Sequence, residues 1–341
     1  MKNLYFLFVF LFIFVSNSPS YSETIGKLPK LNIDQTKITA SGVSAGAYMA
    51  VQLNVALSSV FTGIASIAGG IYWCSEGNVF KAQVNCIKNP FLINVDSKIE
   101  KAKSEEAAQN IDSLQNIQKS RIYAYASPKD GIMNPDNTKK LIEFYSHFTA
   151  KENIFLRNTV NSGHGWITNN YGNACEDRKL PWLNNCHFDL AGDFLTHFYG
   201  HLNPPMVERK RFSSSPTANL FKFDQTEFND SKAHLYPYGW VYVPTGCSSA
   251  GGQKCKLHVA LHGCQMNPDY IQDIFVVNSG INGWAETNNI VVLYPQNEKS
   301  LLSNPYDCWD WWGYSDSNFA NRKGPQIVAI QKMVYRLLGL Y

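Results

Sequence analysis

The 341-residue sequence is poor in charge. Asp, Glu, Lys and Arg together make up 17% of it and leave a net charge of +3. It contains no basic run with interleaved aromatics, and so small a surplus argues against nucleic acid as a partner. None of the eight cysteines forms a C-x-x-C pair, which removes the usual ligand spacing of a structural zinc site. Internal repeats and low-complexity tracts are absent. Beyond the first residues, no apolar stretch approaches the roughly 18–20 residues that a membrane-spanning helix needs.

What is present begins at the N-terminus. Lys2 precedes Leu4–Val15, an uninterrupted apolar run of 12 residues, and small residues stand at Ser20 and Ser22. That layout is a Sec-type signal peptide over residues 1–22, which predicts secretion to a periplasm or to the medium. In an oxidising compartment an even cysteine count reads as disulfides. Sequence proximity favours Cys74–Cys86, Cys175–Cys186 and Cys247–Cys255, which leaves Cys264–Cys308; the connectivity itself stays open. Hydrophobic residues make up 45% of the chain, enough for a large core.

Strand-like and helix-like segments alternate along the first half. Lys37–Ala40, Gly63–Ala68, Arg121–Ala126 and Ile154–Thr159 read as strands; Ala45–Leu57, Asn137–Phe148 and Leu190–Tyr199 read as helices. Tyr72–Gln118 is less regular and is expected to cover a surface as an insertion. A polar connection over Asn203–Asn229 leads to three strands rich in β-branched residues: Gly239–Val243, Lys256–Leu261 and Ile290–Tyr294. Pro325–Leu338 closes the chain as a helix. The alternation predicts an α/β fold, a mostly parallel central sheet with helices on both faces, in one catalytic domain over residues 23–341.

The chemistry starts at Gly42-Val43-Ser44-Ala45-Gly46, between a strand and a helix. G-x-S-x-G in that setting is the nucleophile-elbow pattern. A serine needs a base, and the base needs an orienting carboxylate. The strand ending in RIYAYA runs into Ser127-Pro128-Lys129-Asp130-Gly131, which offers Asp130. The strand IFLRNT runs into Val160-Asn161-Ser162-Gly163-His164-Gly165, which offers His164. The order serine, acid, histidine is that of α/β-hydrolases. Asp136 could instead cap the following helix. His187, His197 and His201 compete with His164, although the last two lack a partner carboxylate for a metal site.

Two N–H donors must also face the oxyanion. Ala45, after the serine, supplies one. The other comes from a His-Gly loop that ordinarily follows an earlier strand. Here His262-Gly263-Cys264-Gln265 comes after the triad. That inversion predicts a circularly permuted α/β-hydrolase, with residues 203–229 joining the former ends. A Cys264–Cys308 bridge would fix the donor loop against Cys308-Trp309-Asp310-Trp311-Trp312.

The segments "SGVSAGAYMAVQL", "SPKDGIMNP", "SGHGW", "LHGC" and "GWAETNNIVVLYPQ", in this order, resemble the poly(3-hydroxybutyrate) depolymerase family in its circularly permuted, single-domain form. The resemblance implies a serine esterase with no cofactor and a polyester or short-chain ester substrate. It implies Ser44, Asp130 and His164 as the triad, with Ala45 and Cys264 as oxyanion donors. It also makes Trp309, Trp311 and Trp312 candidate substrate contacts. A monomer without nucleic-acid or integral-membrane partners is expected. Two rivals stay open: a carboxylesterase for lipid, feruloyl or acetyl-sugar esters, and a non-catalytic binding protein on the same scaffold.

Overall fold

The computed structural model describes residues 25–206, 219–230, 232–247 and 253–341. The expected signal peptide and the middle of the 203–229 connection lie outside these residues. In chain order the principal elements are β1 (Ile33–Val43), α1 (Ala45–Ala56), β2 (Gly63–Ile67), α2 (Val95–Ala107), β3 (Arg121–Tyr125), α3 (Asp136–Ser146), β4 (Ile154–Arg157) and α4 (Leu190–Tyr199). There follow β5 (Leu220–Asp224), β6 (Tyr238–Tyr242), β7 (Cys255–Leu261), α5 (Ile281–Asn288), β8 (Ile290–Tyr294) and α6 (Pro325–Leu338).

The eight strands form one sheet in the order β4-β3-β2-β1-β7-β8-β6-β5. Every pair from β4 to β8 is parallel; β6 and β5 are antiparallel to their neighbours. Successive side chains of a strand point to opposite faces, and here both faces are apolar. Ile64, Ile122, Ala124 and Leu257 join the core on one side, while Ala65, Tyr123, Tyr125 and Ala260 join the core on the other. Central strands buried on both faces suit a parallel sheet whose crossovers cover it with helices.

The two strands at the centre, β1 and β7, come from opposite halves of the chain, with Ser41 opposite Ala260 and Gly42 opposite Leu261. Their carboxyl ends therefore deliver the Gly42–Gly46 turn and the His262–Cys264 loop side by side. The C-terminal helix α6 returns to the start of β1, where the Leu31 N–H donates to the Leu337 carbonyl at 2.8 Å.

The four expected disulfides are present: Cys74–Cys86, Cys175–Cys186, Cys247–Cys255 and Cys264–Cys308. Two segments are more regular than their sequences suggest. Tyr72–Gln118 contains α2, a 13-residue helix whose Asn94 cap accepts from the Ser97 N–H at 3.0 Å. Its buried stripe is narrow, Val95, Ile99 and Ala102, and is crowded by charged residues, so the helical period is faint. The polar connection holds β5, an edge strand whose LFKFD sequence alternates as it pairs with β6.

Candidate active site

Ser44 stands between β1 and α1 with φ 55° and ψ −117°. A side-chain-bearing residue enters such a region only under strain, of about 1–3 kcal/mol. The flanking residues show why the turn must be small. A Cβ on Gly42 would collide with the backbone of Gly46, and one on Gly46 would collide with the Leu261 and His262 carbonyls. The Ser44 N–H donates to the Ile67 carbonyl at 2.9 Å, which ties the turn to β2. Ser44 also stands at the head of α1, where the helix dipole favours negative charge.

Asp130 and His164 lie at the ends of β3 and β4, adjacent parallel strands. The Ser127 hydroxyl donates to the Ser162 carbonyl at 2.6 Å and accepts from the Ser162 N–H at 2.8 Å, so the two loops are laced together. His164 Nδ1 lies 3.0 and 2.9 Å from the two carboxylate oxygens of Asp130. Asp130 Oδ1 also accepts from the N–H groups of Ile132 and Met133, at 2.9 and 2.6 Å. An ionised carboxylate can only accept, so Nδ1 carries the proton and Nε2 is left with its lone pair. Asp136, the expected cap of the next helix, is instead the first residue of α3, after Pro135 at the cap position; it is exposed and pairs with Lys139 at 2.7 Å.

Ser44 and His164 line the same cavity, which has a volume of about 490 Å³. Cys264, Trp311 and Trp312 line it too. Cys264 is bonded to Cys308, and the next residue, Gln265, donates its N–H to the Tyr306 carbonyl at 2.7 Å. Among the described residues, the Cys264 N–H has no acceptor within the protein. Ala45 is the first residue of α1, buried directly behind Ser44.

The three tryptophans divide. Trp311 stacks on Tyr48 with ring centroids 4.2 Å apart, and Trp312 meets Trp311 edge-on at 5.6 Å. Trp309, expected from the sequence as a substrate contact, does not line the cavity and is a packing residue instead. It is 0% exposed, with its ring 5.5 Å from that of His262. The cause is Asp310, whose Oδ1 gathers the N–H groups of Trp312, Gly313 and Tyr314 at 3.2, 2.7 and 3.1 Å. Around this turn Trp309 stays within the core, while Trp311, itself buried, and Trp312 border the cavity. Burial raises the Asp310 pKa, while its hydrogen bonds to Ser315 and these amides act in the opposite direction.

Sequence reading missed several cavity residues: Tyr48, Trp182, Met133 and the rim residues Val79, Leu302 and Tyr306. Only Tyr48 carried a signal, since it stands one helical turn beyond Ser44. His187 and His201 are exposed, and the half-buried His197 sits with Nε2 3.1 Å from the Asn153 carbonyl. Among the described residues, no cluster of three or more His, Cys, Asp or Glu side chains is placed to hold a metal ion.

A strained serine, a carboxylate-held histidine and a mostly parallel sheet that delivers both to one cavity define an α/β serine hydrolase. The chain is 38% identical over 311 residues to a poly(3-hydroxybutyrate) depolymerase of Delftia acidovorans, and 32% identical over 326 residues to a polyhydroxybutyrate depolymerase of Talaromyces funiculosus. It belongs to the polyhydroxybutyrate depolymerase family, and so is an ester hydrolase. The first alignment covers 91% of this chain and 61% of the Delftia protein; the second covers 92% of each. Among solved structures, a PHB depolymerase from Penicillium funiculosum superposes with a TM-score of 0.83. A PHB depolymerase complexed with an R3HB trimer superposes with a TM-score of 0.82. Both are 30% identical to this chain, with 92% of it and 99% of each of them covered. A profile of the prolyl oligopeptidase family matches residues 28–188, the span that contains Ser44, Asp130 and His164.

Proposed function

We propose that the chain hydrolyses poly(3-hydroxybutyrate), or oligomers of the same 3-hydroxyacyl ester, through an acyl-enzyme on Ser44. One observation carries this reading: Ser44 and His164 open onto one cavity while Asp130 holds the far nitrogen of the histidine. His164 Nε2 takes the Ser44 proton as the serine oxygen attacks the ester carbonyl. The N–H groups of Ala45 and Cys264 hold the oxyanion. The alcohol end leaves with the proton from His164, and water then cleaves the acyl-enzyme by the same route.

The walls of the site support a polyester over a small polar ester. Trp311, stacked on Tyr48, and Trp312 give the cavity an aromatic lining suited to a methyl-bearing chain. The rim adds two exposed apolar side chains, Leu302 at 100% and Val79 at 53%. A family member complexed with an R3HB trimer supports the same substrate class. The chain order agrees with a permuted hydrolase, because β5–β8 stand where strands preceding the elbow strand would lie. The His262 loop follows β7 as the oxyanion loop follows the third strand in that fold. Four disulfides and the signal-like N-terminus support export of the enzyme.

Clearing of an amorphous poly(3-hydroxybutyrate) suspension tests the proposal, with Ser44→Ala as control and feruloyl and acetyl-sugar esters as competing substrates. Clearing by the native chain and none by Ser44→Ala is expected. Turnover of the small esters without clearing would replace the polyester with the rival substrate class.

A further inference from the structure

We propose that His262 is a positioning residue for the oxyanion hole: its Nδ1–H grips the Gly263 carbonyl and thereby turns the Cys264 N–H toward Ser44. The inference deepens the mechanism above and rests on Cys264 being the second oxyanion donor.

The Gly263 carbonyl and the Cys264 N–H belong to one peptide unit. Such a unit is planar and trans, so its C=O and N–H point in opposite directions. Holding the oxygen on one side fixes the hydrogen on the other. This peptide needs holding, because glycine resists rotation of its backbone less than any other residue. If the unit flipped, the carbonyl oxygen would face the developing negative charge in place of a donor. Loss of one oxyanion donor lowers the rate by about 10²–10³-fold.

The grip is short and buried. His262 Nδ1 lies 2.7 Å from the Gly263 oxygen, and the residue is 0% exposed. A carbonyl only accepts, so Nδ1 must carry the proton. Burial pushes the imidazole pKa down to about 4, which leaves the ring neutral at pH 7 and Nε2 bare. Nε2, the ring's remaining acceptor, has no partner among the described residues and lies on a ring packed beside Trp309.

The surrounding contacts anchor the loop on either side of this peptide, and the Gly263 N–H itself rests on the Met266 sulfur at 3.3 Å. On the upstream side, the His262 carbonyl lies against Gly46 so closely that a Cβ there would strike it. The loop thus rests on the first turn of α1, beside the other donor, Ala45. Downstream, the Cys264–Cys308 bond and the Gln265–Tyr306 backbone bond anchor the chain. Between these anchors, the Gly263–Cys264 unit takes its orientation from His262. Trp309, which the cavity does not use, backs the imidazole.

The test compares His262→Leu, which removes the donor, with His262→Asn, whose side-chain N–H reaches about the same place. For His262→Leu, kcat should fall about 10²-fold while KM changes little, and inhibition by a trifluoromethyl ketone, whose adduct carries an oxyanion, should weaken in parallel. His262→Asn should restore most of both. His262→Leu with native kcat, or the two variants equally impaired with KM raised, would overturn the inference. If Ser44→Ala keeps activity, the serine mechanism itself is wrong; if Ser44→Ala is inactive and His262→Leu is native-like, only the positioning role falls. Should neither His262 variant fold, imidazole ¹⁵N NMR of the native protein at pH 7 decides. A neutral Nδ1–H ring in contact with Trp309 supports the grip, and an Nε2–H ring or an imidazolium refutes it.

Discussion

Two loops at the carboxyl edge of the sheet each set a histidine beside glycine: Ser162–Trp166 after β4 and His262–Met266 after β7. In the first, the imidazole opens on the cavity and its Nδ1 meets the Asp130 carboxylate. In the second, the imidazole is sealed in the core and its Nδ1 meets a backbone carbonyl. A carboxylate stabilises the imidazolium that forms when His164 accepts a proton. A carbonyl in a dry core cannot, and burial holds His262 neutral. In the proposed mechanism the same side chain therefore moves a proton in one loop and holds a peptide in the other. Its partner and its access to solvent decide which.

The loops are also braced differently. Gly163 donates its N–H to the Cys175 carbonyl at 2.8 Å, so the Cys175–Cys186 bridge steadies the first loop from outside. Cys264 is itself in the second loop, and its bond to Cys308 spans 44 residues against 11 for the other.

The largest effect that would separate the loops is at the carboxylate. Asp130→Asn presents an amide to His164 and favours the wrong tautomer, so kcat on p-nitrophenyl butyrate should fall about 10⁴-fold. A loss smaller than that of His262→Leu would erase the distinction between the two histidines. A smaller effect follows from unbracing the second loop. Cys264→Ala with Cys308→Ala keeps the Cys264 N–H but frees its loop, and should lower kcat about tenfold, less than loss of a donor. It should also cost about 4 kcal/mol of stability by loop entropy, against about 3 for Cys175→Ala with Cys186→Ala. Urea midpoints and kcat of the two double variants check the ordering; equal kcat losses would mean that bracing from within confers no catalytic advantage.

Much of this site was legible in the sequence because its residues sit at punctuation marks. Ser44, Asp130 and His164 each follow a strand with glycine one or two residues away, so order and context make them candidates without coordinates. The disulfides were legible for a similar reason, with three close pairs and one remainder. Trp309 was not, because residues 308–315 form an irregular turn, knotted by the amides that Asp310 collects, with no period from which to read which side chain faces the cavity. The helix α2 was hidden by charges around a stripe of three apolar residues. The role of His262 was invisible for another reason: a hydrogen bond to the next residue's carbonyl leaves no mark on residue type. The sequence shows a His-Gly loop but not what its imidazole holds.

Labelling with a fluorophosphonate, followed by peptide mapping, tests most directly whether residues 44, 130 and 164 act as one unit. A single adduct on Ser44 is expected, with labelling of His164→Ala slowed by orders of magnitude although the variant stays folded. An adduct on another residue, or a folded His164→Ala labelled at the native rate, would contradict it.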